Sequence, residues 1–228
     1  MQTENFMLKT AYDGYSHFFV KLCEFEECYQ LNGRPALIVQ ASPVARNVEV
    51  DVLERGFVQA LQHSGSGAEN WWNGFESACR PIPTFGGVSL VDSYSGPAWA
   101  YEFHRNGHAI SGVWTFPSGA LSDNKAVMYF FDSYAEVFRD FKEKTVAAIE
   151  HAGISGAYDL TAALLNAKKL SYSPPNIVGR VGNAMTPPKQ ETLVWRVRRV
   201  AEPADWDAAI RVMGAELLGA YGDRLRTS

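Results

Sequence analysis

Tyr158-Asp-Leu-Thr-Ala-Ala-Leu-Leu165 reads two ways, and the choice between them decides the fold. Asp159 can cap a helix over the residues that follow, yet Tyr158, Leu160, Ala162 and Leu164 also alternate as a strand does. Periodicity does not separate the two over so short an apolar run, so both readings stand as far as Tyr172.

The flanking segments are more definite. Tyr15, Phe18, Phe19, Leu22 and Cys23 repeat at helical spacing, and Ala36-Leu-Ile-Val39, closed by Pro43, reads as a buried strand. Leu53, Phe57, Val58 and Leu61 share a helical face that His63-Ser-Gly-Ser-Gly67 breaks. The aromatic, proline-punctuated stretch from Ala68 to Gly87 is expected to be an ordered loop or short helix over the core. Val88–Tyr94 alternates as a strand, Trp99–Phe116 should form a hairpin, and Val127–Phe131 a short buried strand. Asp132 or Ser133 then caps a helix, with Ser133 and Glu136 as a capping box and Gly153 at its end. Pro174–Lys189 is expected to be irregular and Thr192–Val200 a half-exposed strand. The last helix starts near Pro203 and buries Trp206, Ala209, Ile210, Met213 and Leu217. The expectation is an α+β fold: a largely antiparallel or mixed sheet, with the capped central helix and the C-terminal helix packed on it. Residues 1–228 read as a single domain, with residues 1–30 as a candidate helical extension.

Hydrophobic residues make up 46% of the 228 and charged residues 20%, the balance of a folded water-exposed protein rather than a membrane or disordered one. No apolar run approaches the length of a membrane span, and MQTENFMLKT lacks the layout of a signal peptide. Cys23, Cys28 and Cys79 are odd in number and lack CxxC spacing, which points to reduced thiols in a cytoplasmic protein. The net charge of −4 is unevenly spread: residues 168–228 hold ten Lys/Arg against six Asp/Glu, and the remainder eleven against nineteen. The basic quarter can meet phosphate or an acidic partner, although a dedicated nucleic-acid binder is more often basic throughout.

Candidate chemistry centres on Tyr101-Glu-Phe-His-Arg-Asn-Gly-His108. Asn106-Gly107 signals a two-residue turn, which pairs Arg105 with His108 and His104 with Ala109. In that register His104 and His108 point to opposite faces and cannot share a metal, so no metal site and no cofactor are expected. Glu102, His104 and Ser111 would share a face, which makes them candidate catalytic residues: a carboxylate orienting a histidine beside a hydroxyl. A solvated polar face of the hairpin is the plainer alternative. Arg105 and His108 at the hairpin tip, with Arg196, Arg198 and Arg199 on the late strand, are candidate binding residues for phosphate or carboxylate, Arg196 and Arg198 sharing one face. Trp71 and Trp72 offer a stacking surface for bases or sugars, or a plug at the core edge. Gly179-Arg-Val-Gly182 has the letters of a KH-domain loop, but prolines hem it in where that loop joins two helices.

Several of these segments recur in one order: Trp72-Asn-Gly-Phe75, Pro83-Thr-Phe-Gly-Gly-Val88, the Tyr-x-Phe-x-Arg-Asn-Gly-His hairpin, the capped helix, Tyr158–Leu165, a late strand and a closing helix. That order over roughly residues 68–220 is similar to the C-terminal region of bacterial proteins carrying an N-terminal Schlafen AlbA-type DNA-binding or ATP-binding domain. The resemblance implies an accessory domain of a larger bacterial protein in defence or regulation, and a strand at Tyr158–Leu165. It transfers no catalytic residue, and the acidic and basic motif of the AlbA-type domain is missing from this chain.

The functional expectation is therefore a cytoplasmic binding or regulatory domain, leaning away from an enzyme, that recognises a protein partner or a second copy of itself. Nucleic acid is a less favoured partner and a membrane is not expected. The alternatives are a small hydrolase using Glu102 and His104 for acid–base work, and a nucleic-acid-binding module.

Overall fold

The elements run in the order α1 (Ser16–Cys28), β1 (Ala36–Pro43), α2 (Arg55–His63), β2 (Ile82–Pro83), β3 (Gly87–Val91), β4 (Trp99–His104), β5 (Ala109–Val113) and β6 (Ala126–Tyr129). They continue with α3 (Phe131–His151), β7 (Tyr158–Leu165), a 3-10 turn (Ala167–Lys169), β8 (Leu170–Ser173), β9 (Leu193–Val194), β10 (Arg198–Val200) and α4 (Pro203–Ala220). This computed structural model describes residues 14–63, 81–91, 99–114, 126–129, 131–173 and 188–221, together with Lys9 and Tyr12.

Tyr158–Leu165 is a strand because it has partners on both sides. β7 pairs antiparallel with β1 along its length, from Ala36 opposite Leu165 to Pro43 opposite Tyr158, and β9 and β10 line its other edge. All eight of its residues are buried. A helix there would leave the interior edge of β1 without partners, and each buried unpaired backbone group costs about 1–3 kcal/mol. The main sheet has eight strands in the order β10-β7-β1-β5-β4-β3-β2, with β9 beside β7, and all its pairings are antiparallel. β6 and β8 form a separate parallel pair. The expected α+β class is what the chain adopts.

The sheet is covered on both faces, which explains why β1 and β7 carry continuous apolar runs. Leu37, Val39 and Ala41 of β1 join Tyr158, Leu160, Ala162 and Leu164 of β7 in the larger core, beneath α2, α3 and α4. Ala36, Ile38, Ala163 and Leu165 face the other way, into a smaller core closed by Phe18, Leu22 and Phe25 of α1. Those three α1 residues fall at i, i+4 and i+7, one side of a helix. α3 starts at Phe131, slightly ahead of the expected cap, and ends where Ile154 N–H returns to Ile149 C=O at 3.0 Å beside Gly153. Pro203 occupies the first turn of α4 as its sequence predicts, and Glu202 and Asp205 form a reciprocal capping box.

The hairpin departs from its expected register by one residue. Trp99 faces Val113, Tyr101 faces Ser111, and Glu102 faces Ile110. His104 N–H donates to His108 C=O at 2.8 Å, and Gly107 N–H donates back to His104 C=O at 2.9 Å. The loop is therefore three residues long, Arg105-Asn106-Gly107. Only Gly107 takes positive φ (+77°), as the left-handed position of such a loop requires, whereas a two-residue turn would need it at Asn106 too. Asn106 instead turns its side-chain oxygen to accept His108 N–H at 3.1 Å.

The late strand also departs from regular alternation. Val194 faces Ala163 and Arg198 faces Leu160, so four steps on one side span three on β7: a bulge. Trp195 anchors it. Its backbone N–H donates to Ala162 C=O at 2.9 Å, its C=O accepts Thr161 Oγ1 at 2.8 Å, and its indole N–H donates to Met213 C=O of α4 at 2.8 Å.

Candidate binding pocket

Because side chains alternate along strands, the corrected register decides which polar groups meet. His104 and His108 now stand opposite one another on the α1 face, their ring centroids 5.7 Å apart. The expectation that they point to opposite faces is overturned. Ser111 moves the other way: it faces Tyr101 and Val39, which belong to the larger core, so the sheet separates it from Glu102 and His104. The proposed carboxylate–histidine–hydroxyl set does not assemble.

Glu102 and His104 do meet. His104 Nε2 lies 3.1 Å from Glu102 Oε2, close enough for an ion pair but without hydrogen-bond alignment. Tyr29, just past α1, donates its hydroxyl to Glu102 Oε1 at 2.7 Å and sits 3.2 Å from Ser89 Oγ. Burial pushes the Glu102 carboxyl up, but His104 and the Tyr29 hydroxyl outweigh it and hold the carboxyl below the ordinary value of 4.5. Glu102 is thus a tied carboxylate joining helix, strand and hairpin.

A concavity lies at the other end of α1. A pocket of about 550 Å³ opens between the first turns of α1, the end of β1 with the loop after it, the hairpin loop, and the β7–β10 edge. Lys21, Arg46 and Arg199 bring positive charge to it, His17 and His108 bring imidazoles, and Asp159 is the lone carboxylate in its lining. The pocket is therefore cationic within a chain whose net charge is −4. Asp159 is buried and holds the exposed Arg199 by two hydrogen bonds, Nε to Oδ1 at 3.0 Å and Nη2 to Oδ2 at 3.2 Å. Lys21 reaches Glu24 one turn along α1 at 2.6 Å.

Two features aim this charge at a ligand. Ser16 opens α1 with no acidic residue in the first turn and, among the described residues, no side chain capping it. Tyr15, Ser16 and His17 line the pocket, which puts the positive end of the helix dipole at its wall. His108, only 1% exposed, lines the same pocket, and its Nε2 meets no hydrogen-bond partner among the described residues. Burial, then the neighbouring His104, His17 and Lys21, drive the His108 imidazole well below its ordinary value, so it is neutral near neutral pH. Burial also lowers His17, and Asp159 pulls it back upward.

The remaining expected site residues scatter. Arg105 is exposed on the hairpin loop, whereas His108 beside it is a buried pocket wall and not a surface tip. The late arginines are apart: Arg196 is exposed within the bulge, Arg198 turns to Glu216 of α4 at 2.6 Å, and Arg199, next along β10, turns to Asp159 on the opposite face. Arg196 and Arg198 thus do not form the shared strand face expected of them. Trp71 and Trp72 lie outside the described residues. Among the described residues, no group of three His, Cys, Asp or Glu side chains can hold a metal ion, and no helix is long and apolar enough to cross a membrane. His17, Lys21, Arg46 and Asp159 escaped the sequence reading. The signal for the first two was His17 and Lys21 spaced i, i+4 in the first half of a helix whose acidic residues, Glu24, Glu26 and Glu27, all lie in the second.

Comparison with protein-family models, with curated proteins and with solved structures gave no match.

Proposed function

We propose that this chain is a ligand-binding domain of regulatory or accessory type, whose pocket receives an anionic group. The observation that carries the reading is the convergence on one cavity of Lys21, Arg46, the first turn of α1 and the buried His108, whose Nε2 has no hydrogen-bond partner among the described residues. Its volume of about 550 Å³ falls within the range of small-molecule sites. A helix N-terminus with flanking cations is a ready anion receptor. The Glu102–His104 pair supports binding more than acid–base catalysis, since it lies outside the pocket lining and its carboxylate is already engaged by Tyr29. Two free thiols, Cys23 and Cys28, suit action in a reducing cytoplasm. The order of segments similar to Schlafen AlbA-type proteins supports an accessory place beside other bacterial domains.

Titrating inorganic phosphate and sulfate into isotope-labelled protein at low salt tests the reading. The backbone amides of Ser16 and His17 should shift saturably, and Lys21→Met with Arg46→Met should weaken binding at least tenfold. Shifts spread over the whole surface, or none, would overturn it.

A second reading rests on Arg105 and Arg196, both exposed and without an ion pair among the described residues. They suit the acidic surface of a protein partner, or a nucleic-acid backbone. Gel shift across a salt series separates these, because contact with nucleic acid weakens steeply as salt rises.

A further inference from the structure

His17 and Lys21 of α1 and His104 of β4 neighbour His108; Glu102 of β4 lies beside His104, and Asp159 of β7, Arg199 of β10 and Arg46 from the loop after β1 line the same pocket. The His17 and His108 rings meet edge to face at 6.4 Å between centroids. The hairpin register places His104 on the far side of His108 from the pocket mouth, among residues that do not line it. Three imidazoles thus run in a row beneath α1, with the middle one buried and only its neighbour His17 well exposed. Asp159, the carboxylate of the pocket lining, is spent on Arg199, and Glu102, beside His104, is engaged by Tyr29.

This arrangement is short of negative charge. A proton on His108 would sit among Lys21, Arg46 and two further imidazoles with no carboxylate of its own, so the empty pocket keeps it neutral. An oxyanion seated at the α1 N-terminus reverses that balance. It brings full negative charge into the cavity that His108 lines, offers acceptor oxygens to the first-turn amides, and gives a proton on His108 the counter-charge that the empty pocket lacks. A neutral imidazole can give one ring N–H, whereas the imidazolium gives both, so binding and protonation favour each other.

Resting on the anion-pocket reading above, we propose that the ligand carries a tetrahedral oxyanion, a phosphoryl or sulfuryl group, and that it binds together with one proton taken from solvent onto His108. The proton balance is simple: neutral His108 plus a proton plus the anion gives an imidazolium–oxyanion pair, with no covalent change. Binding at this site is then a pH sensor: the protein holds its ligand more tightly as the surroundings acidify, and ligand release accompanies proton release.

Sulfate is the right probe, because it does not itself titrate across about pH 5.5 to 7.5, where histidine does. Affinity measured by calorimetry should rise on acidification, approaching about tenfold per pH unit if one whole proton is taken up. Repeating the titration in two buffers of different ionisation heat should show close to one proton bound per sulfate. The His108 ring signal, followed by NMR, should titrate at higher pH with sulfate than without. His108→Gln should bind sulfate with its pH slope largely removed, while His104→Gln should keep the slope. Sulfate binding that is independent of pH, or a slope that survives His108→Gln, overturns the proton coupling and leaves the anion pocket standing. Absence of binding by sulfate and phosphate throughout the range overturns both. If His108→Gln does not fold, the ring titration of His108 in the unaltered protein decides: no upward movement with sulfate overturns the proposal.

Discussion

Gly112→Ala tests how α1 lies on the sheet, and with it the shape of the pocket that α1 helps to form. Gly112 faces Ala100 on one side and Ile38 on the other, on the α1 side of β5. A Cβ at this position would stand 2.5 Å from Phe25 Cε1, 3.0 Å from Phe25 Cζ and 3.4 Å from Ile38 Cγ1. Carbon atoms rest at about 3.5–4.0 Å, so the Phe25 ring must retreat by roughly 1 Å. It has little room, being 2% exposed and packed against Tyr29 at 4.5 Å and Trp114 at 6.3 Å between centroids. Overpacking of this kind costs about 1–3 kcal/mol. Restricting the unfolded chain by Gly→Ala returns about 0.4–1 kcal/mol. The net expectation is a loss of about 1–2 kcal/mol, or roughly 2–8 °C in Tm for a chain of this size. Urea and thermal denaturation followed by circular dichroism provide the measurement. Phe25→Leu removes the ring atoms in conflict, so the double variant should be more stable than the two single losses predict when added, by about 1 kcal/mol. Wild-type stability for Gly112→Ala, with strict additivity in the double variant, would refute the packing of α1 described above.

Three further outcomes follow from the same geometry. Glu102→Gln should cost about 1.5–3 kcal/mol at neutral pH, the range for hydrogen bonds to a charged group. Because its folded value lies below 4.5, the stability Glu102 confers is present above that value and lost as pH falls through the folded one, so the variant's urea midpoint should depend less on pH in acid. His108 acts with the same sign but in a higher pH window. Its folded value lies below 6.5, so the unfolded chain binds more protons and stability should fall as pH drops below 6.5, a slope that saturating sulfate should reduce. Trp195→Phe keeps most of the buried ring but removes the 2.8 Å bond to Met213 C=O, and should cost about 1–3 kcal/mol in chemical denaturation by leaving that carbonyl unpaired.

Sequence alone determined most elements whose cause is local. The apolar stripe of α1, the buried run of β1, the Gly153 stop after α3 and the Pro203 start of α4 each rest on a few neighbouring residues, and each appears in the structure. The α+β class followed from counting such elements. Three matters needed the tertiary structure. Tyr158–Leu165 is a strand because β1 and the β9–β10 edge supply hydrogen-bond partners, and no local propensity encodes those. Asn106-Gly107 marks a turn but leaves its length open; pairing in a three-residue loop put His104 beside His108 and sent Ser111 through to the other face. A bulge at Trp195, fixed by bonds to β7 and α4, parted Arg196 from Arg198, and strand alternation set Arg199 on the face opposite Arg198. A shift of one residue in a strand exchanges its two faces, so small errors of register become large errors about which side chains meet. The pocket gathers residues from positions 14 to 199, and its chemistry exists only because the sheet brings those positions together.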